Sequence, residues 1–272
     1  MRRAPPLLLT TSALVLLICL VALMAPVIAP YGPVAQSVLQ RLEGPSGLHW
    51  LGTDQFGRDV LTRILYGMRT SLSVSAAAVL SALLVGGTLG LAAAYFGGLV
   101  DRIVMRAMDV LFAFPVMLLA IGIVAVLGPG ETTTAAAIAV VYTPIFARLL
   151  RGPALVIATS DYVLAARSVG ASHARIIACH ILPNLASVVL VQTSLLMSTA
   201  ILVEASLSFL GLGAQPPDPS LGTMLSEGRN FLMLSPWSAI FSGAAILLIA
   251  FALSMFGDVL RDNLDPRLRS ER

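Results

Sequence analysis

The side chains best suited to chemistry in this sequence are His173, Cys179 and His180. The two histidines are seven residues apart, so on a helix they lie two turns apart, too far to bind one metal ion without further ligands. Cys179 and His180 are sequence neighbours, so on a helix they point in different directions and do not form a nucleophile and base pair. H-E-x-x-H and G-x-S-x-G motifs are absent from the sequence as well. The pattern therefore predicts neither a metal site nor a catalytic site.

One acidic residue, Glu204, lies well inside an apolar run, where a carboxylate is costly unless it faces a cavity or a partner. Ser208 follows one helical turn later, and Gln192, Thr199 and Ser206 recur at intervals of seven. Polar groups thus lie on two sides of this helix, which favours a central position among other helices. Two interpretations of Glu204 and Ser208 stay open, either a translocation pathway or hydrogen bonds between helices.

The elements that carry these residues are strongly apolar. Of 272 residues, 57% are hydrophobic and 11% charged, and the mean hydropathy is +0.91. A helix needs roughly 20 apolar residues to cross a bilayer, and the apolar runs are continuous rather than alternating, as in membrane helices. The sequence therefore predicts an all-α integral membrane protein with six transmembrane helices. The predicted spans are residues 7–29, 71–97, 110–127, 135–150, 185–210 and 239–256.

The arginines predict the orientation of these spans. The first apolar run follows two arginines but is longer than a usual secretory signal, so we interpret it as a retained span. With the N-terminus inside, twelve arginines fall on the cytoplasmic side and five outside, which satisfies the positive-inside rule and places both termini in the cytoplasm. The inner set is Arg2, Arg3, Arg102, Arg106, Arg148, Arg151, Arg167, Arg175, Arg261, Arg267, Arg269 and Arg272, and the outer set is Arg41, Arg58, Arg63, Arg69 and Arg229.

The arginines account for all 17 of the Lys plus Arg residues, so the sequence contains no lysine. A phosphate-binding P-loop uses its lysine to reach the β- and γ-phosphates. Nucleotide hydrolysis of that type is therefore expected in a separate subunit, and we predict that this chain is not an enzyme.

The chain divides into four predicted parts. Residues 1–30 form an N-terminal transmembrane helix, 31–69 an extracytoplasmic segment with an amphipathic helix capped by Thr53 or Asp54, 70–260 a core of five spans, and 261–272 a cytoplasmic tail. Small residues recur every fourth position in span two, which predicts close packing against another helix. They are Ala78, Ala82, Gly86, Gly90, Ala94 and Gly98. Pro115 and Pro144 are expected to kink spans three and four.

Residues 161–183, DYVLAARSVGASHARIIACHILP, lie between spans four and five and are too interrupted by charge to be a span. Ser160 or Asp161 is suited to cap a first helix that Gly170 ends in a left-handed turn. Ser172 is suited to cap a second helix that runs to Leu182. This helix-turn-helix has an apolar face that needs cover, and we expect a cytoplasmic partner protein to supply it.

At this point the sequence resembles a known family, the permease subunits of ABC-type importers. Their cytoplasmic loop reads E-A-A, three residues, G, nine residues and I-x-L-P. The matching positions are Ala165, Ala166, Gly170, Leu182 and Pro183, while Leu164 replaces the glutamate and His180, with Ile181 beside it, replaces the isoleucine. Four other segments resemble the C-type permease of dipeptide, oligopeptide and nickel importers. They are HWLGTDQFGRDVLTRILYGMRTSL, GGLVDRIVMRAMDVLFAFP, EASLSFLGLGAQPPDPSLGTMLSEGR and GDVLRDNLDPRLR.

The resemblance implies a type I ABC importer permease fold in the bacterial plasma (inner) membrane. It implies a B-type sister permease, two ATP-binding subunits that use ATP and magnesium, and an extracytoplasmic substrate-binding protein, with no cofactor in this chain and no nucleic acid. The lipid bilayer is the remaining partner. The ATPase-coupling loop would comprise Asp161, Leu164, Ala165, Ala166, Gly170, Ala171, Ile181, Leu182 and Pro183. The substrate is expected to be a di- or oligopeptide. Nickel chelates and glutathione stay open as alternatives, as does an ATP-independent secondary transporter.

Overall fold

The computed structural model describes residues 6–264, which form a bundle of helices. Within these residues there is no strand, and the only β-type pairing is an isolated bridge between Thr53 and Asp59. The all-α prediction is confirmed. The helices are α1 Pro6–Leu23, α2 Ala25–Ile28, α3 Val60–Phe96, α4 Gly98–Phe112, α5 Val116–Leu127, α6 Glu131–Ala158, α7 Asp161–Ser168, α8 His173–Ile176, α9 Leu182–Phe209, α10 Leu221–Arg229 and α11 Trp237–Leu264. Both termini, with Arg2, Arg3, Arg267, Arg269 and Arg272, lie outside the described residues.

Four long apolar helices can each cross a membrane: α3, α6, α11 and the continuous helix His173–Phe209. Helices α4 and α5 form a pair bent by 92°, which gives a fifth crossing if the pair is one span. The first predicted span, residues 7–29, divides into α1 and α2, and its apolar helix Leu7–Leu23 is shorter than the others. Pro26 lies in the first turn of α2, where its ring and missing N–H do not allow α1 to continue.

Span three differs from the prediction. The apolar run 110–127 is not one helix, because α4 ends at Phe112 and α5 begins at Val116 with Pro115 in the N-cap position. Pro115 therefore separates two helices rather than kinking one. Helix α5 has 12 residues, which rise about 18 Å, less than the hydrocarbon thickness. Pro144, in contrast, lies inside an unbroken α6.

Helices α3 and α6 run parallel and pack closely along the predicted row of small residues. A Cβ atom at Gly86 would overlap the carbonyl oxygen of Thr143, and one at Gly90 would overlap that of Ala147. Ala78 and Ala82 on the same row are fully buried. The predicted packing face is confirmed from Ala78 to Ala94, because the missing side chains let the two backbones touch. The prediction is wrong for Gly98, which is exposed and begins α4.

Helix α3 begins later, and runs further, than the predicted amphipathic helix. Its N-cap is Asp59, whose Oδ2 accepts a 2.8 Å hydrogen bond from Thr62 N–H, so neither Thr53 nor Asp54 caps it. Asp54 instead accepts from the N–H groups of Phe56 and Arg58 in the preceding turn. Residues 60–69 are thus the first turns of the 37-residue α3 rather than a separate helix.

The bundle has two ends that we name by their contents. At the loop end, His173 meets Tyr95 near the end of α3, and Arg151 of α6 meets Asp101 of α4. At the ion-pair end, the segment 30–59 meets α10. Helices α3, α6 and α11 run from the ion-pair end to the loop end, and α9 returns.

Candidate functional site

The loop between α6 and α9 consists of α7, a left-handed turn and α8. Gly170 has φ +80°, the left-handed conformation that glycine adopts without strain. Ser172 then caps α8 by accepting a 3.4 Å hydrogen bond from Arg175 N–H. The predicted helix-turn-helix forms, with α7 from Asp161 to Ser168 and Ser160 in the N-cap position. Ser160 makes no side-chain capping bond, because its hydroxyl donates back to Ile157 O at 2.6 Å.

The second helix does not end at Leu182 as predicted. It continues from His173 to Phe209 through one π-helical turn, Ile177–Ile181. Within that turn Leu182 N–H donates to Ile177 O, five residues back. Pro183 lies in the first turn of α9, directly after the π turn, and has no N–H to donate. The wider π turn accommodates the proline without ending the helix. The loop is therefore joined rigidly to α9.

The inner face of the loop is buried within the chain itself. Val163, Ile176 and Ile181 are almost fully buried, in one cluster with Leu91 of α3 and Leu150 of α6. Burial of a side chain of this size stabilises the fold by about 1.5–3 kcal/mol. Part of the apolar face that predicted a partner is thus covered by α3 and α6, and the loop is fixed against the bundle.

The outer face of the loop is open. Leu164 is 46% exposed and Val169 is 85% exposed, and Ala165 and Gly170 are exposed as well. A Cβ at Gly170 would meet nothing within 4 Å. The coupling-loop residues predicted from sequence therefore divide, with Ile181 buried inside, Ala166 and Ala171 partly buried, and Asp161, Leu164, Ala165, Gly170, Leu182 and Pro183 exposed.

The two histidines make contacts that help to hold the loop in place. His173 Nδ1 lies 2.8 Å from the hydroxyl oxygen of Tyr95, and the guanidinium of Arg167 lies over the same tyrosine ring at 4.7 Å. The rings of His180 and Tyr162 are 6.3 Å apart. Among residues 6–264 no three His, Cys, Asp or Glu side chains are placed to hold a metal ion. These contacts fasten α7 and α8 to the end of α3.

Glu204 lies inside the chain between α9 and α3. It is 1% exposed, and Ser208 Oγ donates a 2.7 Å hydrogen bond to its Oε1. Glu204 Oε2 and the buried Ser71 hydroxyl of α3 both lack a hydrogen bond of normal geometry among the described residues. The predicted pair of Glu204 and Ser208 does come together, on a face that is covered within this chain.

Comparison with known proteins identifies the fold and its family. Residues 86–270 match the family described as binding-protein-dependent transport system inner membrane component. The chain belongs to this family. These residues cover more than half of the chain, and they include the loop 161–183, α9 and α11.

Full-length relatives and a solved structure agree with this membership. A dipeptide transport system permease protein, DppC, of Alkalihalophilus pseudofirmus is 46% identical over 92% of this chain and 83% of its own length. A glutathione transport system permease protein, GsiD, of Pectobacterium atrosepticum is 47% identical over 94% and 85%. A probable D,D-dipeptide transport system permease protein, DdpC, of Escherichia coli K12 is 40% identical over 98% and 90%.

The crystal structure of an amino acid ABC transporter with histidines has a similar fold. It superposes with TM-score 0.57 and 17% identity, over 75% of this chain and 95% of that chain. At this identity the likeness concerns the fold alone. The permease is thus an all-helical ABC-transporter membrane component, and this family is not an enzyme family.

Sequence reasoning missed a buried charge cluster at the ion-pair end of the permease. Arg58 Nε lies 2.5 Å from Asp54 Oδ2, and Arg58 Nη2 lies 2.9 Å from Glu227 Oε2 in α10. Arg63 lies 3.5 Å from Asp54 and 3.7 Å from Glu227. Gln55 Nε2 also donates to Glu227 Oε2 at 3.0 Å. The signal in the sequence was the density of charge in residues 54–63 of an otherwise apolar chain.

A second feature that the sequence did not indicate is a cavity of about 450 Å³ between α6, α9 and α11 near the loop end. Its wall is mainly apolar, with Ser187, Gln192 and Arg261 as polar members. Gln192, one of the polar residues that recur along span five, therefore faces a space, whereas Glu204 does not.

Proposed function

We propose that this chain is one half of the membrane channel of an ATP-driven importer for di- or oligopeptides. The observation that carries the proposal is the loop 161–183, which presents an open face with Leu164, Val169 and Gly170 while its inner face is packed against α3 and α6. The relatives named for dipeptide and D,D-dipeptide transport support the substrate class.

The proposed assembly contains a B-type sister permease, two ATP-binding subunits and an extracytoplasmic substrate-binding protein. ATP and magnesium bind to the ATP-binding subunits, and this chain supplies no cofactor. The proposed location is the bacterial inner membrane, where the chain crosses as six spans with both termini in the cytoplasm. The domain boundaries predicted at residues 30, 69 and 260 stay part of this proposal.

Charge distribution supports the proposed orientation. Of the arginines in residues 6–264, seven lie on the proposed cytoplasmic side and five on the outer side. The seven are Arg102, Arg106, Arg148, Arg151, Arg167, Arg175 and Arg261. Because cytoplasmic ends of spans are enriched in arginine, the loop end is the cytoplasmic one.

Coupling follows from the continuity of the helix 173–209. An ATP-binding subunit that closes against Leu164 and Val169 would push α7 and α8, which are packed against α3 and α6. Since α8 leads into α9 without a break, the displacement reaches a helix that lines the 450 Å³ cavity. Gln192 and Ser187 in that cavity are therefore better placed than the buried Glu204 to line the pathway.

Glutathione import is the second candidate, because the relative named for glutathione transport is 47% identical to this chain. Glutathione is itself a short peptide-like molecule, so the same architecture suits both. Uptake of a labelled dipeptide by cells that express the complete system, with unlabelled glutathione as competitor, distinguishes them. Strong competition at low glutathione concentration would favour the second candidate over the first.

The coupling role is tested by Gly170→Val. A valine side chain at Gly170 would meet no neighbour within this chain but would strain the left-handed turn at φ +80°. Because the strain is confined to an exposed turn, the variant should still reach the membrane, while the altered docking face should abolish dipeptide uptake. The matched control is Gly211→Val, since Gly211 has φ +81° and open surroundings but lies at the opposite end of the bundle. Normal uptake by Gly170→Val would contradict coupling through this loop.

A further inference from the structure

We propose that α4 is an interfacial helix that binds anionic phospholipid headgroups at the loop end of the bundle. The inference depends on membrane location, which the family membership supports, and not on the transported substrate. It begins from an apolar face on α4 that no other described part of the chain covers.

Helix α4 has one protein-facing side and one apolar outward side. Met108 is its one buried side chain in the described structure, and it lies against the bundle. On the opposite side Leu99 is 65% exposed, Ile103 60% and Val110 57%. These residues are spaced by four and seven, so they form one stripe. A helix in water would place polar residues there, so the stripe indicates an apolar neighbour.

The two acidic residues of α4 are each paired with an arginine of α6. Asp101 accepts two hydrogen bonds from Arg151, at 2.5 Å and 2.6 Å, and Asp109 accepts one from Arg148 at 2.6 Å. The Arg148 guanidinium also lies 4.1 Å from the centre of the Phe112 ring. Bidentate arginine pairing holds α4 firmly against α6.

The two basic residues of α4 lie on its exposed side. Arg102 and Arg106 are exposed, and within residues 6–264 neither forms an ion pair. They flank the apolar stripe on one edge, because Arg106 is seven residues from Leu99 and three from Ile103. Because both aspartates are paired with arginines of α6, the exposed side of α4 carries two unneutralised positive charges beside exposed hydrophobic side chains.

The direction of α4 suits a membrane surface. Helix α4 follows the end of the spanning helix α3 at Gly97 and is turned by 92° from α5. If α5 runs along the bilayer normal, α4 runs in the plane of the interface, and the short α5 supplies the third proposed crossing with local thinning of the bilayer. An in-plane helix with an apolar stripe and adjacent arginines is the pattern that binds the acyl boundary and attracts anionic lipid.

The test uses a fluorophore at Ile103→Cys in a Cys19→Ser, Cys179→Ser background. The full chain, co-expressed with its sister permease, is placed in vesicles of equal parts phosphatidylcholine and phosphatidylglycerol, with one lipid or the other brominated as a quencher. We expect quenching by both lipids and stronger quenching by brominated phosphatidylglycerol. The double variant Arg102→Gln, Arg106→Gln should abolish that preference. Each arginine is expected to contribute roughly a fivefold preference for phosphatidylglycerol over phosphatidylcholine.

Two matched controls accompany the test. A fluorophore at Ala165→Cys, on the open face of the loop, should not be quenched, and Arg175→Gln, which removes another exposed arginine at this end, should leave the preference at position 103 unchanged. Absence of quenching at position 103 would overturn the proposal. Quenching that is seen for this chain alone but lost when the sister permease is present would also overturn it, because the sister chain would then cover the stripe. Equal quenching by both lipids would overturn the headgroup assignment.

Discussion

Glu227 and Asp54 are the two acidic groups on which the buried Arg58 and Arg63 converge at the ion-pair end. Arg58 and Arg63 are both nearly inaccessible to solvent, and Glu227, at 27% exposure of its side chain, is the more accessible partner. Breaking a buried pair leaves an uncompensated charge in a poorly solvated site, which costs more than the pair itself contributes. The cluster therefore ties residues 54–63 to α10, which is more than 160 residues away in sequence.

Glu227→Ala should lower the free energy of unfolding by about 2 kcal/mol, since Asp54 alone then faces two buried arginines, and the partial exposure of the site reduces the cost of the excess positive charge. Thermal unfolding of the purified protein in detergent measures the effect. Glu43→Ala is the matched control, because Glu43 is exposed in the same end of the bundle and its carboxylate makes no ion pair with another described residue. Equal melting temperatures for the two variants would mean that the cluster is structurally unimportant.

At the scale of elements, the contact between α3 and α6 determines the bundle, and it depends on residues without side chains. Gly90→Ala should destabilise the protein by about 1–3 kcal/mol, because the added methyl group would overlap the Ala147 carbonyl and force the parallel helices apart. The measurement is the melting temperature and the monodisperse yield in size-exclusion chromatography.

Gly122→Ala in α5 supplies the comparison for Gly90→Ala. A Cβ at Gly122 would meet nothing within 4 Å, so alanine there should be neutral or slightly stabilising through its better helix propensity. If Gly90→Ala behaved like Gly122→Ala, the helix contact would be looser than the structure indicates.

The elements also show which features a sequence alone predicts. Signals that act over a few residues are predictable from the sequence: the small residues of α3, the turn at Gly170 and the cap at Ser172. Features that depend on which of two residues takes a role are not predictable in this way. Both Asp54 and Asp59 are suitable N-caps, and the choice depends on Asp54 pairing with Arg58, which is held in turn by Glu227.

The bends were missed for a similar reason. A hydropathy pattern measures apolar length, so it does not distinguish a straight span at residues 110–127 from two helices at 92°. It also gave no sign of the π turn before Pro183, which lets α8 continue into α9. The exposed stripe of α4 was hidden because the predicted spans divided it: Val110 fell in the span 110–127, while Leu99 and Ile103 fell between spans.

For the molecule as a whole, the proposed orientation places the loop end in the cytoplasm and the ion-pair end outside. Cys179 is exposed at the loop end, and Gly47 at the other end has open space around a Cβ position, so both sites accept a thiol reagent. In intact cells a membrane-impermeant maleimide should label Gly47→Cys, prepared in a Cys19→Ser, Cys179→Ser background, because that end faces outward.

Native Cys179, tested in a Cys19→Ser background, should react with the same reagent only after the membrane is permeabilised. A Cys19→Ser, Cys179→Ser chain without added cysteine gives the background signal. Labelling of Cys179 from outside would reverse the bundle, and with it both proposals that depend on the loop end: docking of ATP-binding subunits on Leu164 and Val169, and contact of Arg102 and Arg106 with the anionic lipids of the cytoplasmic leaflet. Because both surfaces lie at the loop end of the bundle, this measurement tests the premise that they share, which is that the loop end faces the cytoplasm. The uptake assay and the quenching assay then test the two proposals separately.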